Sequence, residues 1–458
     1  MSPSPTPTRR WIALTGLLVA EAMNLLDSTI TTVAAPVIRA GLYGTASDTQ
    51  WIAAAYTLPF AVALVPGGRL GDIHGRRRLF VIGVCGFLLA STACTAAPTM
   101  TALLAARVVQ GCFAGLVVPQ TIGLIRAAFD GPALGRALSL IGPVMGLTAV
   151  AGPVLGGLIT HADLAGLSWR AVFLVNVPLG LLTLVCARFL DEDRPARRPG
   201  LDVPGFLLSG AVAAAFVIPT INGGTSWVLL AAGFLGAAVL AAHVRRRGAS
   251  GRDPVFEPSL FHDRGFPAAL ASSVLYFAVS TGVVFTVVLH VEDGLHRSVL
   301  ASSLTVLPFS AGLAVSSLLA GQLLLPRTGP GLMFAGIVLL AAGLVWGVAV
   351  PSWLPAALGV SGLGGGLVTV PFFAVALSRV RPHETGSAAG LLNAVQQLGG
   401  TFGVAVLGGA YLGTRSLTAP FVVSLALGTA LTLSVALMLG ARAGGTAHSH
   451  APCDCAPG

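Results

Sequence analysis

Apolar runs of about twenty residues, almost free of charge, recur from one end of this chain to the other, and no other feature restricts its fold so tightly. A helix that crosses a bilayer core needs roughly 20 such residues. Among 458 residues only 9% are charged and 55% are apolar, too few charges to cover the surface of a soluble protein of this size. The fold class this implies is an all-α integral membrane protein. Hydropathy between polar breaks predicts fourteen spans, at about 11–37, 50–68, 79–97, 101–124, 137–160, 171–189, 203–221, 226–243, 267–290, 299–325, 331–350, 353–377, 386–411 and 418–440. Twelve spans would require discarding the pair at 203–243, whose apolar content is too high for that; Asn222-Gly223-Gly224 supplies the turn between them.

Arginine placement tests that count. The net charge is +9 and the chain has no lysine. With the N-terminus in the cytoplasm, twenty-one of the arginines fall on the cytoplasmic side, four (Arg39, Arg170, Arg297 and Arg415) fall outside, and Arg107 lies within a span. That bias is what the positive-inside rule requires, so both termini are expected in the cytoplasm. The basic balance is thereby read as topology and not as a nucleic-acid footprint. The longest polar segments, 190–202 and 244–265, flank the hairpin at about 203–243. They divide the chain into a leader (1–10), six spans (11–189), linkers carrying two spans (190–265), six spans (266–440) and a tail (441–458). The first apolar run contains Glu21, Asn24 and Asp27, which argue for a retained span over a cleaved signal.

Ionisable groups in a span are costly, and each marks a functional candidate. Glu21 and Asp27 are the carboxylates placed within spans, and Arg107 is their cationic counterpart. Asp27 and Arg107 both fall roughly 9–14 Å below the outer surface at 1.5 Å per residue, so they can pair if their helices are neighbours. Glu21 lies deeper, on a face shared with Asn24 and Ser28, and is expected with Asp27 and Arg107 to carry proton coupling. A carboxylate that alternates between an arginine and a proton is a coupling device; a static tie between two helices is the other role open to the same pair. Asn24, Gln110, Asn176, Asn393 and Gln396 are the polar candidates for a cavity wall, with interhelical bonding as their alternative use.

The segment Gly68-Arg-Leu-Gly-Asp72-Ile-His-Gly75-Arg76-Arg77-Arg78 closes the second span with glycines for a tight turn and arginines for anionic headgroups. At Gly68, Asp72, Gly75 and Arg76 it resembles the signature loop of the major facilitator superfamily, with Ile73 where a basic residue is usual. Leu25-Leu-Asp27-Ser-Thr-Ile30 through Pro36 is similar to the first-span motif of the fourteen-span drug:proton antiporters, with Thr31 and Thr32 in place of the commoner Val-Asn. Arg107-Val-Val-Gln110-Gly111 resembles the fourth-span motif, and Gly146 through Gly152-Pro153-Val-Leu-Gly156-Gly157 the fifth-span motif of antiporters. Trp169-Arg170 through Pro178 and Ala389-Gly390 through Gln397 also resemble this branch, so the likeness covers about residues 20–410.

The resemblance implies a facilitator fold of 6 + 2 + 6 spans in a bacterial inner membrane, working by alternating access, with a substrate site near the midplane between the halves. It implies export of a small amphipathic molecule, cationic or neutral, against an inward proton, with Arg107 in proton transfer. It implies that Asp72, with Gly68, Gly75, Arg76 and Arg77, gates by docking on the second-half helix beginning near Gly386. It also implies that Gly146, Gly152, Pro153, Gly156 and Gly157 bend the fifth span. Proton-driven uptake on the same fold and a non-transporting membrane sensor or scaffold are the alternatives. A degenerate copy of the gating loop is expected at Gly321–Gly329.

Other chemistries are disfavoured. A chain without lysine has no G-x-x-x-x-G-K-[ST] loop, so no ATP site is expected, and no cofactor. Neither is a metal: His448, His450, Cys453 and Cys455 are closely spaced in a polar tail and read as a bland terminus. Four of the six cysteines fall in apolar spans, against a disulfide framework. No nucleophile–base pair within the spans points to an enzyme.

Overall fold

A computed structural model of the protein describes residues 7–163, 166–193, 200–221, 227–256, 258–261, 264–378, 380 and 385–446. The expected metal-free tail at 448–455 and the turn at 222–224 lie outside them. Where no water reaches the backbone, each N–H and C=O must be satisfied within its own segment, and the apolar runs are accordingly helices. The first group comprises α1 (Pro7–Gly41), α2 (Ala46–His74), α3 (Arg76–Ala96), α4 (Met100–Ala128), α5 (Gly131–Ser139) leading into α6 (Ile141–Ala162), and α7 (Ala171–Leu174) leading into α8 (Asn176–Ala187). A hairpin follows, α9 (Val203–Ile221) and α10 (Trp227–Ala249). The second group comprises α11 (Gly265–Leu289), α12 (Val299–Leu319), α13 (Leu325–Thr328), α14 (Leu332–Ala349), α15 (Leu354–Leu377), α16 (Thr385–Thr414) and α17 (Thr418–Thr446).

Among the described residues, ten helices are long and apolar enough to cross a membrane. The longest of these, Val299–Ala349, is 51 residues and runs through α12, a π turn at Ala320–Leu324, α13 and α14. Several helices overshoot the hydropathy windows. α1 has 35 residues, about 52 Å at 1.5 Å per residue, because a helix does not stop where the hydrocarbon does. One overshoot matters chemically. The window ending at 290 left Glu292 and Asp293 in a loop, whereas the helix continues as a π turn, His290–Gly294, that buries Glu292 to 9% exposure. Hydropathy windows end at charges; backbone hydrogen bonding does not.

Within the first group α2 and α3 pack on α4; within the second, α12 and α14 pack on α15, and α11 on α16. Small residues permit the closest approaches: a side chain at Gly115 would run into Ala63 of α2, and one at Gly403 into the backbone of Ala278. The two groups meet along two seams, α2 against α16 and α6 against α12. α9 lies beside the first seam, touching both α2 and α16. The loop ending α2 and its second-half counterpart both turn on a glycine of positive φ, Gly75 at 105° and Gly329 at 69°, a conformation that a side chain resists.

Candidate functional site

Between the two groups lies a cavity of about 380 Å³ walled by α1, α2, α4, α6, α11, α12, α15 and α16. Glu21, Asn24, Asn393 and Gln396 line it, as does Pro153. Gln110 and Asn176 do not. Their amides turn to the carboxylate of Asp27, the interhelical use that the sequence left open beside the cavity wall. A buried charge at the same depth is a stronger partner for a side-chain amide than a solvated cavity is.

Asp27 and Arg107 are 2% and 1% exposed. Arg107 Nη1 donates to Asp27 Oδ2 at 2.5 Å and to Gln110 Oε1 at 2.8 Å. The other carboxylate oxygen, Oδ1, accepts from Gln110 Nε2 at 2.9 Å and Asn176 Nδ2 at 2.7 Å. Ser91 on α3 accepts from both amides, at 3.3 and 2.8 Å, and donates to the Phe173 carbonyl at 2.9 Å. The Arg107 guanidinium also stands 4.3 Å from the centre of the Tyr56 ring, a cation–π contact, and reaches the Ile52 carbonyl at 3.4 Å. Tyr56 in turn donates to Asn24 Oδ1. Six elements thus meet on one ion pair, and Asn24, Tyr56 and Arg107 connect it to the cavity, which all three line.

Asp72 pairs with Arg76 at 2.9 Å, and Arg76 with Asp193 at 2.8 Å. The Arg77 amide donates to Glu192 Oε1 at 3.1 Å, and Arg77 Nε to the Ala187 carbonyl at 3.2 Å. A Cβ on Gly75 would meet the Glu192 carboxylate, and one on Gly68 would touch Pro119. The 68–78 loop is therefore tied to the acidic run after α8, a partner not expected from its motif although Asp191-Glu192-Asp193 is plain in the sequence. Asp72's expected partner near Gly386 adjoins residues 381–384, which lie outside the described set.

The α6 glycines face both groups. Gly152 and Gly156 abut Thr29 and Ile30 of α1, whereas Gly157 abuts Leu300 and Ser303 of α12; Gly146 looks toward Ala314. Of the second-half wall the sequence pointed to Asn393 and Gln396 on α16, but not to the residues of α11, α12 and α15. Tyr276 donates to the Gly365 carbonyl at 2.9 Å and accepts from Thr369 at 2.7 Å, and Phe277, Phe309 and Ser310 stand near it. Single hydroxyls and aromatics in apolar spans carry no local signal that separates cavity from packing. Among the described residues no cluster of His, Cys, Asp and Glu suits a metal ion.

Residues 17–404 match the Major Facilitator Superfamily. The probable actinorhodin transporter of Streptomyces coelicolor is 39% identical over 425 residues, 89% of this chain and 74% of that protein. The puromycin resistance protein of Streptomyces alboniger is 35% identical, covering 88% of this chain and 82% of its own length. The tetracenomycin C resistance and export protein of Streptomyces glaucescens is 34% identical, with 87% and 76% covered. The chain belongs to the Major Facilitator Superfamily, and is a multi-pass membrane transporter and not an enzyme.

Proposed function

We propose that this protein exports a small antibiotic-like molecule across a bacterial inner membrane in exchange for protons, by alternating access. The observation that carries the reading is the buried Asp27–Arg107 pair beside a cavity that Arg107 itself lines. A proton on Asp27 would cancel its charge and leave Arg107 without its anion, so that protonation and helix position become linked. The relatives named for actinorhodin, puromycin and tetracenomycin C support export of small molecules. Fourteen spans with both termini cytoplasmic complete the proposal. In that orientation the cross-group bonds Arg39–Asp293 and Gln50–Val404 lie at the outer end, and the state described is closed to the outside. Glu21 supplies a carboxylate on the cavity wall for a cationic substrate, with Asn393 and Gln396 opposite for neutral polar groups.

Accumulation of a fluorescent cationic dye in everted vesicles tests this, comparing wild type with Asp27→Asn and Arg107→Ala with and without a proton gradient. Gradient-dependent uptake that disappears in both variants is expected. Normal uptake by the variants would remove the coupling pair from the mechanism. Uptake indifferent to the gradient would remove proton exchange.

A further inference from the structure

At the far end of α1 from the gating loop, Arg39 crosses to the second group. Its Nη1 donates to Asp293 Oδ2 at 2.7 Å and its Nη2 to Asp293 Oδ1 at 3.0 Å. The two side chains are 20% and 13% exposed, and bidentate arginine–carboxylate pairing of this kind is strong and geometrically specific. Just inward, Val33 of α1 is fully buried within the apolar core of the second group, packed with the faces that carry Val283 and Val287. An ion pair therefore sits over an apolar plug, and the two groups cannot part at this end without breaking both.

The π turn His290–Gly294 positions the acid. Such turns are rare and concentrate at functional sites. Successive residues on a helix point about 100° apart, and here Asp293 faces α1 while Glu292 faces α12, where Ser302 Oγ donates to its Oε1 at 2.5 Å. Arg39 is thus bonded to Asp293 alone, while its charge and that of Asp293 both act on the adjacent Glu292. The other charged or titratable groups around the turn are His290 on the turn itself, Tyr411 3.5 Å from His290 Nδ1, Arg415 beyond it on the same side, His296 and Arg297 in the following loop, and Asp48 in the first turn of α2. α12 contributes only neutral Ser302 at this point.

We propose that Arg39, Asp293 and Glu292 form an outer gate, an ion-pair latch between the two halves that a proton on the carboxylate pair releases. A proton taken from outside neutralises one carboxylate, removes part of the attraction on Arg39, and lets α1 swing from α11. The latch rests on the alternating-access reading above, but its readout needs no substrate, so dye transport can fail while the gate test succeeds, and the reverse.

The test is labelling of a Thr32→Cys reporter, on the cavity wall, by a membrane-impermeant maleimide added to intact cells. Rates are taken above those of the parent lacking the reporter, and total thiol after denaturation counts the protein. Arg39→Asp and Asp293→Arg should each raise the rate about tenfold, the factor that about 1.4 kcal/mol produces. The double reversal should return it to the wild-type rate. Asp293→Asn should label fast at alkaline and mildly acidic external pH alike and serves as the reference for maleimide chemistry. Against it, wild type should label faster in acid, and Glu292→Gln, in which one carboxylate of the pair is neutral at every pH, should label faster than wild type at alkaline pH with a flattened response. Single reversals that label no faster than wild type, or a double reversal as fast as the singles, would overturn the latch. A full acid response in Glu292→Gln would overturn its release by the carboxylate pair.

Discussion

The side-chain amide of Asn176 donates to Asp27 Oδ1 at 2.7 Å, so that the first residue of α8 helps to hold a carboxylate on α1. The same nitrogen lies 2.8 Å from Ser91 Oγ, which links α3 to the pair. Three side chains, those of Arg107, Gln110 and Asn176, thus share the Asp27 carboxylate in a nearly dry site.

Replacing Asn176 by Leu therefore leaves Asp27 short of a donor while the cavity wall stays as it is. A buried acceptor left unsatisfied costs about 1–3 kcal/mol, and thermal unfolding in detergent should fall accordingly. An Asn176 that served substrate directly would instead change apparent affinity with no change in unfolding temperature.

Gly157 is the α6 glycine turned toward the second half, where an added Cβ would approach Ser303 Cβ at 2.9 Å and Leu300 Cα at 3.2 Å. Gly157→Val should wedge this seam open. Overpacking of a tight contact costs about 1–3 kcal/mol, enough to shift the balance of states, and the Thr32→Cys reporter should label faster from outside. Gly146→Ala, whose added Cβ would stand 3.8 Å from Ala314, should label at the wild-type rate.

The hairpin is fastened to the C-terminal end of α2. Arg69 donates to the Gly200 carbonyl at 2.8 Å and the Pro254 carbonyl at 2.5 Å, one on each linker. Hydrogen bonds from a charged group contribute about 1.5–3 kcal/mol each. Arg69→Gln should speed amide hydrogen exchange in α9, α10 and the linkers far more than in α3 or α14. Equal exchange would mean that apolar packing, Phe206 with Val65 and Val217 with Ala54, holds the hairpin unaided.

Asp202, between those linkers, ties the same knot. It is fully buried and accepts from Val255 N at 2.9 Å, Gly205 N at 3.1 Å and His243 Nε2 at 2.8 Å. Burial pushes its pKa up, but the hydrogen bonds from His243, Gly205 and Val255 and the charge of His243 outweigh that and leave it below the ordinary 3.8. A depressed carboxylate stabilises fully above its unfolded value, and the contribution disappears as pH falls through the folded value. The difference in unfolding temperature between wild type and Asp202→Asn should be constant above about pH 5 and shrink below about pH 4. A difference that grew in acid would reverse this sign.

Much of the candidate site was legible because charge in an apolar run is conspicuous. Glu21, Asp27 and Arg107 stand out in the sequence for that reason, and arithmetic along two helices brings Asp27 and Arg107 to one depth. Asn24, Asn393 and Gln396 lie on the cavity wall, whereas Gln110 and Asn176 take the interhelical bonding that the sequence left open as their alternative. Nothing local distinguishes an amide that faces a cavity from one that faces a buried carboxylate. Glu292 and Asp293 escaped because they follow the last apolar residue of a window, and Arg69 because it is one arginine among several in a loop.

The sequence by itself determined that the chain is helical, lives in a membrane, and carries a few charges where the bilayer disfavours them. These are local properties: transfer free energy accumulates residue by residue, and backbone bonds close within one segment. Only the tertiary structure decided that Asn176 and Gln110 serve Asp27, that Arg39 crosses to Asp293, and that Arg69 grips both linkers. Those choices depend on which helices become neighbours and how each is rotated, and small-residue contacts such as Gly115 on Ala63 and Gly157 on Ser303 set both.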